Sequence, residues 1–282
     1  MHPVLLPFPG VTSYGVSLLA AWGVGWWLAR RRSRRCGIPV WHIDWLAPLL
    51  LAGAAVGSRL SGRLFQTLGH GGGNDRLLYG ALAAALGVAA LYALIARLPL
   101  ARLCDAFAFS LLAGIGLLRV GCFLGGCCWG DICAAPERLS VVADPAWTRQ
   151  VQTIPSLCGA DWPLCVTFPA GSPACLQHRS AGLLPPTARR SLPVHPVQLY
   201  EATAVLILLG VLVLIDGRLR RWGLSFLLSV LGYATIRFAL DWFRADLGPL
   251  AWGLTASQWV SLTAACLCLV VGSTRWLPTK TG

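Results

Sequence analysis

The sequence predicts an all-α integral membrane protein, because long apolar segments alternate with short segments that carry its charges. Of the 282 residues, 56% are hydrophobic and 12% are charged, about half the charged fraction of a typical soluble domain. A soluble fold of this length needs more polar surface than that composition supplies. The net charge of +12 lies largely on arginines between the apolar segments, which indicates anionic lipid headgroups as partners and no nucleic acid.

Seven apolar segments are long enough to cross a bilayer, since a helical span needs about 20 mostly apolar residues. They are residues 10–29, 45–64, 77–96, 105–124, 197–215, 223–243 and 254–273. A basic cluster between Arg30 and Arg35 follows the first segment rather than preceding it, which indicates an uncleaved span and not a signal peptide. The short segments after the odd-numbered spans hold most of the arginines, so we predict seven transmembrane helices with the N-terminus outside and the C-terminus in the cytoplasm.

One long polar segment interrupts what we predict to be a single transmembrane domain over residues 1–282. Residues 125–195 are rich in Pro, Gly, Ser and Cys, and the predicted topology makes them an extracytoplasmic loop between the fourth and fifth helices. Four cysteines of this loop are expected to form disulfides in an oxidising compartment. They are Cys133, Cys158, Cys165 and Cys175. Sequence leaves three pairings open, and Cys158 with Cys165 would close a small loop.

Ionisable residues lie within several predicted spans, where burial of a charge is costly and marks a candidate functional site. In the predicted topology all of them lie toward the outer side of the membrane: Arg59, Arg63, Arg119, Glu201, Arg237, Asp241 and Arg244. Snorkelling to the headgroups explains Arg63 and Arg244 equally well. Arg237 and Asp241 are four residues apart and share a helix face, so an ion pair that supports an anion site is the sharper interpretation.

The segment GCFLGGCCWG, at residues 121–130, is not expected to continue as a helix. Glycine costs about 1 kcal/mol relative to alanine in a helix, and Gly125 and Gly126 are adjacent. Broken backbone at membrane depth is tolerated only against protein or a water-filled cavity. We therefore expect small residues and free N–H groups directly after Arg119, an arrangement that suits a phosphate.

Five segments along nearly the whole chain resemble those of the prolipoprotein diacylglyceryl transferase family. They are TSYGVSLLAAWGVGW with Tyr14, GSRLSGRLF with Arg59, LLRVGCFLGGCCWG with Arg119, HPVQLYEA with His195 and Glu201, and RFALDWFRAD with Arg237, Asp241 and Arg244. The chain also departs from the family pattern. Cys122, Gly125 and Cys127 stand where the family has two asparagines and a glutamate, and Tyr79 stands where the family has a histidine in its third span.

The resemblance implies that a diacylglyceryl group passes from phosphatidylglycerol to the thiol of a lipobox cysteine in a secreted prolipoprotein. Glycerol phosphate is then the leaving group, and the enzyme is expected in the bacterial inner membrane with its active site facing the periplasm, without metal or cofactor. The predicted catalytic residues are Arg119, Arg237, Tyr79, Tyr14 and Cys127. The residues predicted to bind the phospholipid headgroup are Arg59, Arg119, Arg237, Arg244, His195, Glu201 and Asp241.

The cluster of Cys122, Cys127 and Cys128 leaves three interpretations open. In the first, the cysteines are packing residues or form a local disulfide. In the second, they form a reactive thiol site. In the third, they are metal ligands, although C-x4-C-C is not a standard zinc spacing.

Two other functions of the protein remain as alternatives. One is a membrane thiol–disulfide oxidoreductase that uses this cluster; the other is a non-catalytic phospholipid-binding or transport protein, which the single broken helix and the lack of internal repeats disfavour.

Overall fold

The structure is a computed structural model that describes residues 12–67, 74–133, 164–219, 221–244 and 249–276. Within these ranges the fold is mainly helical. The helices are α1 (Ser13–Arg35), α2 (Val40–Thr67), α3 (Asn74–Ile95), α4 (Leu100–Gly125), α5 (Pro173–Ser180), α6 (Val197–Ile215), α7 (Leu224–Leu240) and α8 (Ala256–Trp276). A short hairpin pairs β1 (Pro249–Ala251) with β2 (Leu254–Thr255) in antiparallel fashion.

Five of the described helices are long and apolar enough to cross a membrane. Their spanning ranges are Val40–Leu64, Leu100–Gly125, Val197–Arg218, Leu224–Phe243 and Ala256–Thr274. In addition, α3 holds a shorter apolar stretch, Gly80–Ile95, and α1 ends in basic residues. An all-α membrane fold is therefore confirmed, while the number of seven spans and their orientation stay predictions.

The described residues belong to two compact units. The first comprises Met1–Trp22, Leu112–Leu214 and Leu227–Gly282, as far as they are described. The second comprises Gly23–Leu111 and Ile215–Phe226. Helices α2 and α3 pack closely in the second unit, where a Cβ atom on Gly57 would overlap the backbone oxygen of Gly80. Such small residues let helices approach in lipid, where association depends on van der Waals packing.

Arg32, near the end of α1, is the centre of a buried polar network in the second unit. Its Nε donates to the backbone oxygen of Asp105 at 2.6 Å, and its Nη2 donates to Asp216 Oδ1 at 2.6 Å. The Asp105 carboxylate accepts hydrogen bonds from the N–H groups of Gly223 at 2.6 Å and Phe226 at 3.0 Å. A carboxylate from α4 thus satisfies the free N–H groups at the start of α7, where negative charge is also favoured by the helix dipole.

The described parts of the polar segment, residues 126–133 and 164–196, form a small core of their own within the first unit. Its buried side chains are those of Trp129, Ile132, Phe168, Ala174, Cys175, Leu184, Leu192 and Val194. Ile132 and Val166 both form β-bridges with Val194. Helix α5 begins at the N-cap Ser172, whose hydroxyl accepts a hydrogen bond from the Cys175 N–H at 3.2 Å.

In the described part of this segment a disulfide joins Cys133 to Cys165. Of the pairings that the sequence left open, the small loop between Cys158 and Cys165 is therefore excluded. Ile132 precedes Cys133 and Val166 follows Cys165, and both form a β-bridge with Val194. These two bridges bring Cys133 beside Cys165. Cys158 lies outside the described residues, and Cys175 is a free thiol buried in the core.

His178 in α5 is expected to make the stability of the small core depend on pH. The residue is only 5% exposed, and its Nδ1 accepts a hydrogen bond from the Leu192 N–H at 3.3 Å. Burial lowers the pKa of His178 to about 4, so the folded state keeps the ring neutral. The unfolded segment binds a proton near pH 6.5, so we expect the free energy of unfolding to fall by about 1.4 kcal/mol per pH unit between 6.5 and 4.

The measurement is thermal unfolding of the protein in detergent at pH 7 and at pH 5, for the native chain and for His178→Asn. The asparagine does not titrate, so the variant should lose a smaller part of its stability over this interval. Equal losses in the two proteins would contradict the assignment to His178.

Candidate functional site

Four charged side chains form a continuous chain of ion pairs in the first unit. Arg119 Nε on α4 lies 2.9 Å from Glu201 Oε1 on α6, and Glu201 Oε2 lies 3.3 Å from Arg237 Nη1 on α7. Arg237 Nη2 then lies 2.9 Å from Asp241 Oδ1, one helical turn later. Glu201 is 1% exposed, so its carboxylate is a buried bridge between two guanidinium groups.

Neutral side chains complete this buried network. Tyr233, one turn before Arg237 on α7, donates its hydroxyl to Glu201 Oε1 at 2.9 Å. Arg237 also donates to Ser257 Oγ at 3.3 Å, while Thr255 and Ser257 both donate to Asp241 Oδ2. Because nearly every polar atom of the network has a partner, the two arginines are held in defined orientations.

The end of α4 brings three cysteines together. Gly126 has a φ of +70°, and its N–H donates to the Phe123 oxygen at 3.2 Å. The Cys127 N–H donates to the Cys122 oxygen at 3.1 Å, which completes the pair of bonds known as a Schellman motif. This motif stacks the side chains of residues five apart, here Cys122 and Cys127. Cys128 follows with a φ of +61°, uncommon for a residue other than glycine, and all three sulfurs lie within 4.8 Å of one another.

The thiols of this cluster do not titrate alike. Hydrogen bonds from the Cys122 and Cys127 thiols, with the positive charges of Arg244 and Arg119, lower the pKa of Cys128 well below its usual value. The same hydrogen bonding and burial raise the pKa of Cys127. Cys128 is therefore the cysteine of the cluster whose thiolate form the surroundings favour, and Arg119 and Arg244 contribute to that preference.

Gln198 connects the cysteine turn to α6, three residues before Glu201. The side chain is 1% exposed, and its Nε2 donates to the Cys127 backbone oxygen at 2.7 Å. The Oε1 atom of the same amide is buried and has no hydrogen-bond partner among the described residues. Such an atom is a ready acceptor for a polar group that a ligand brings into the site.

His195 and Arg244 lie where the polar segment meets the ends of α6 and α7. The backbone oxygen of His195 accepts a hydrogen bond from the Gly130 N–H at 2.9 Å. The imidazole ring of His195 packs edge-on against the ring of Phe243, with the ring centroids 5.9 Å apart. Burial lowers the pKa of His195, and Asp131 partly offsets that effect. The Arg244 backbone forms a β-bridge with Gly130.

The other predicted site residues are placed as follows. Tyr14 lies in the first turn of α1 and is 43% exposed, and α1 contacts α4 where Gly121 leaves room for Ser17. Arg59 and Tyr79 belong to the second unit, on α2 and α3; the Arg59 side chain is exposed, and the Tyr79 side chain lies outside the described part. The structure thus brings together Arg119, Glu201, Arg237 and Asp241, and their roles stay predictions.

Sequence reasoning missed Tyr233, Gln198, Thr255 and Ser257. Two of these carried a local signal: Tyr233 is four residues before Arg237 and Gln198 is three before Glu201, so each shares a helix face with a charged site residue. Thr255 and Ser257 carried no such signal, since they reach Asp241 only through the β1–β2 hairpin and the start of α8.

The network can bind an anion through Arg119. Within the described residues Arg119 contacts Glu201 through Nε, which leaves its two Nη groups for a ligand. The Arg119 side chain is 14% exposed, against 10% for Arg237 and 1% for Glu201. A planar guanidinium held in place by a carboxylate suits bidentate recognition of a phosphate.

Comparisons with known proteins agree with this chemistry. A sequence model of the prolipoprotein diacylglyceryl transferase family matches residues 3–273. A phosphatidylglycerol–prolipoprotein diacylglyceryl transferase from Nitratidesulfovibrio vulgaris is 29% identical over 286 residues, covering 94% of this chain and 87% of that protein. The protein of the same name from Rhodospirillum rubrum is 28% identical over 298 residues, covering 96% and 91%.

Proposed function

Because the chain belongs to the prolipoprotein diacylglyceryl transferase family, we propose that it transfers a diacylglyceryl group from phosphatidylglycerol to the thiol of a lipobox cysteine in a prolipoprotein. The single observation that carries this proposal within the molecule is the buried carboxylate of Glu201 between Arg119 and Arg237. The comparisons do not favour an oxidoreductase or a lipid transporter.

The reaction forms a thioether and releases glycerol phosphate. The acceptor sulfur attacks the phosphate-bearing carbon of the diacylglyceryl group, the carbon–oxygen bond breaks, and its electron pair stays on the phosphate oxygen. Negative charge therefore develops on the leaving group, where preorganised cations lower the barrier most. We assign this role to the Nη groups of Arg119, with Arg237 and Glu201 holding that guanidinium in place.

The remaining predicted residues are assigned by their positions. Arg244 and His195 lie where the polar segment meets the helix ends and are proposed to contact the phospholipid headgroup, as is the exposed Arg59. Tyr14 and Tyr79 are proposed as groups that pass the proton of the acceptor thiol on to solvent. Asp241 is proposed to position Arg237.

We also propose seven spans, formed by α1 to α4 and α6 to α8, with the N-terminus outside. Helices α1 and α3 have 23 and 22 residues, which is enough for a bilayer that needs about 20. In this orientation the polar segment and the ion-pair network face the periplasm of a bacterial inner membrane, where both the phospholipid donor and a secreted acceptor are present.

Arg119→Lys tests the assignment. Lysine keeps the positive charge beside Glu201 but lacks the planar fork, so we expect kcat to fall about 100-fold while the protein remains folded. The measurement is transfer of radiolabelled diacylglyceryl groups from phosphatidylglycerol vesicles to a lipobox peptide. The matched control is Arg63→Lys, at an exposed arginine of α2, which should keep the native rate. Native kcat in Arg119→Lys would overturn the assignment.

A further inference from the structure

We propose that Cys122, Cys127 and Cys128 bind a Zn²⁺ ion with an open fourth position, and that this position takes the acceptor thiol as a thiolate. The inference rests on the proposed function, because it concerns how that reaction obtains its nucleophile. It departs from the metal-free enzyme that the sequence led us to expect.

The first argument is the geometry of the three sulfurs. They lie within 4.8 Å of one another, and among the described residues these three cysteines form the one group of His, Cys, Asp or Glu side chains that meets this spacing. Zinc–sulfur bonds of about 2.3 Å in a tetrahedral site separate the sulfurs by about 3.8 Å. The three sulfurs are therefore already close to the spacing that a bound zinc ion requires.

The second argument is the backbone that holds them. C-x4-C-C is unusual as a zinc motif, yet the Schellman motif at Gly126 places residues 122 and 127 side by side, and the left-handed conformation of Cys128 turns the chain directly afterwards. A non-glycine residue in this conformation is strained, and residues of this kind cluster at functional sites. Packing residues or one disulfide would not require a third sulfur here.

The third argument is charge. Three thiolates around Zn²⁺ carry a net negative charge, which is costly at the membrane interface unless cations lie close by. Arg119 and Arg244 both interact electrostatically with Cys128. Beside the cluster, the buried Gln198 amide has an oxygen with no partner among the described residues, which is available to a donor on the bound acceptor peptide.

The chemistry follows from three protein ligands and one vacant position, the arrangement typical of catalytic rather than structural zinc. The three cysteines lose their protons when the ion binds. The acceptor thiol displaces water and loses its proton to solvent on coordination, because a metal-bound thiol is deprotonated. Its sulfur then attacks the phosphate-bearing carbon of the diacylglyceryl group, the carbon–oxygen bond breaks, and glycerol phosphate leaves with the electron pair and takes up one proton from solvent. The neutral thioether is a weaker ligand, so water replaces it.

Metal analysis of the purified full-length chain tests the site. After incubation with Zn²⁺ and removal of free ions, we expect one zinc per native chain and an at least tenfold lower content in Cys122→Ser and in Cys127→Ser. The matched control is Cys266→Ser, an exposed cysteine of α8, which should retain the native content. Thermal unfolding of each variant establishes that it is folded. Equal zinc in all four proteins, binding of Cu⁺ in preference to zinc, or a disulfide within the cluster after purification would each overturn the proposal.

Cobalt substitution tests the open position. Thiolate-bound Co²⁺ absorbs in the near ultraviolet and visible. A lipobox peptide should change the visible bands, whereas the same peptide with serine in place of cysteine should not.

Removal of the metal tests whether the reaction needs it. Protein treated with a chelator should lose at least nine-tenths of its transferase activity and regain that activity with Zn²⁺. Full activity in metal-free protein would refute the zinc site but leave the proposed function intact. Stoichiometric zinc without any transfer would refute the function but leave the site.

Discussion

Replacing Glu201 with glutamine should abolish transferase activity and destabilise the fold more than any other single change in the network. The substitution keeps the shape of the side chain but leaves Arg119 and Arg237 without the carboxylate they share. Removing one partner of a buried ion pair costs about 3–5 kcal/mol, because the remaining charge stays desolvated. We expect kcat to fall at least 100-fold, since the freed guanidinium of Arg119 no longer holds its orientation.

The measurements are vesicle transfer assays and thermal unfolding in detergent. The matched control is Asp44→Asn in α2, which breaks the partly exposed pair with Arg30 at 3.3 Å and should change stability by less than about 1 kcal/mol. A double variant, Glu201→Gln with Arg119→Met, removes the excess positive charge and leaves the ion pair of Arg237 with Asp241 in place. It should be more stable than Glu201→Gln alone while remaining inactive. Further destabilisation in the double variant would contradict the electrostatic explanation.

Gly130→Ala should disrupt the junction between the polar segment and the helix ends. An added Cβ atom would lie 2.5 Å from Val197 Cγ2, 2.7 Å from His195 Cβ and 2.7 Å from the Phe243 oxygen. These neighbours cannot withdraw freely, because the His195 oxygen accepts from the Gly130 N–H and the Phe243 oxygen accepts from the Asp131 N–H at 2.8 Å. Overpacking of this kind costs about 1–3 kcal/mol, and each lost hydrogen bond adds about 1 kcal/mol.

We therefore expect at least a tenfold loss of transfer activity and faster proteolysis of the polar segment in Gly130→Ala. Gly125→Ala is the matched control. It lies five residues earlier, its added Cβ would meet no atom within 4 Å, and alanine favours the helix by about 1 kcal/mol. The assignment fails if the two variants unfold at the same temperature and cleave at the same rate.

The sequence predicted where α4 ends but not where α1 ends. The adjacent Gly125 and Gly126 end α4 as expected, because glycine is a poor helix former and readily adopts positive φ. By contrast, α1 continues to Arg35, past the apolar segment that ends at residue 29. Apolarity marks the part of a helix in lipid, whereas the helix itself runs to the next breaker, here Gly37 with a φ of +67°.

The partners within the site were predictable only where they share a helix. The pair of Arg237 and Asp241 follows from a spacing of four residues. That Arg119 pairs with Glu201 rather than Asp241 depends on how α4, α6 and α7 pack, which no local pattern encodes. The Cys133–Cys165 bond likewise depends on bridges to Val194, far along the chain.

The cap that Asp105 provides for α7 imposes an order on how the protein is made. Its carboxylate binds N–H groups 118 and 121 residues further along the chain, so α4 leaves the ribosome long before its partner helix exists. Until α7 is inserted, the Asp105 carboxylate lacks both of the N–H groups that it binds in the folded protein. Assembly of the second unit is therefore completed late in translation.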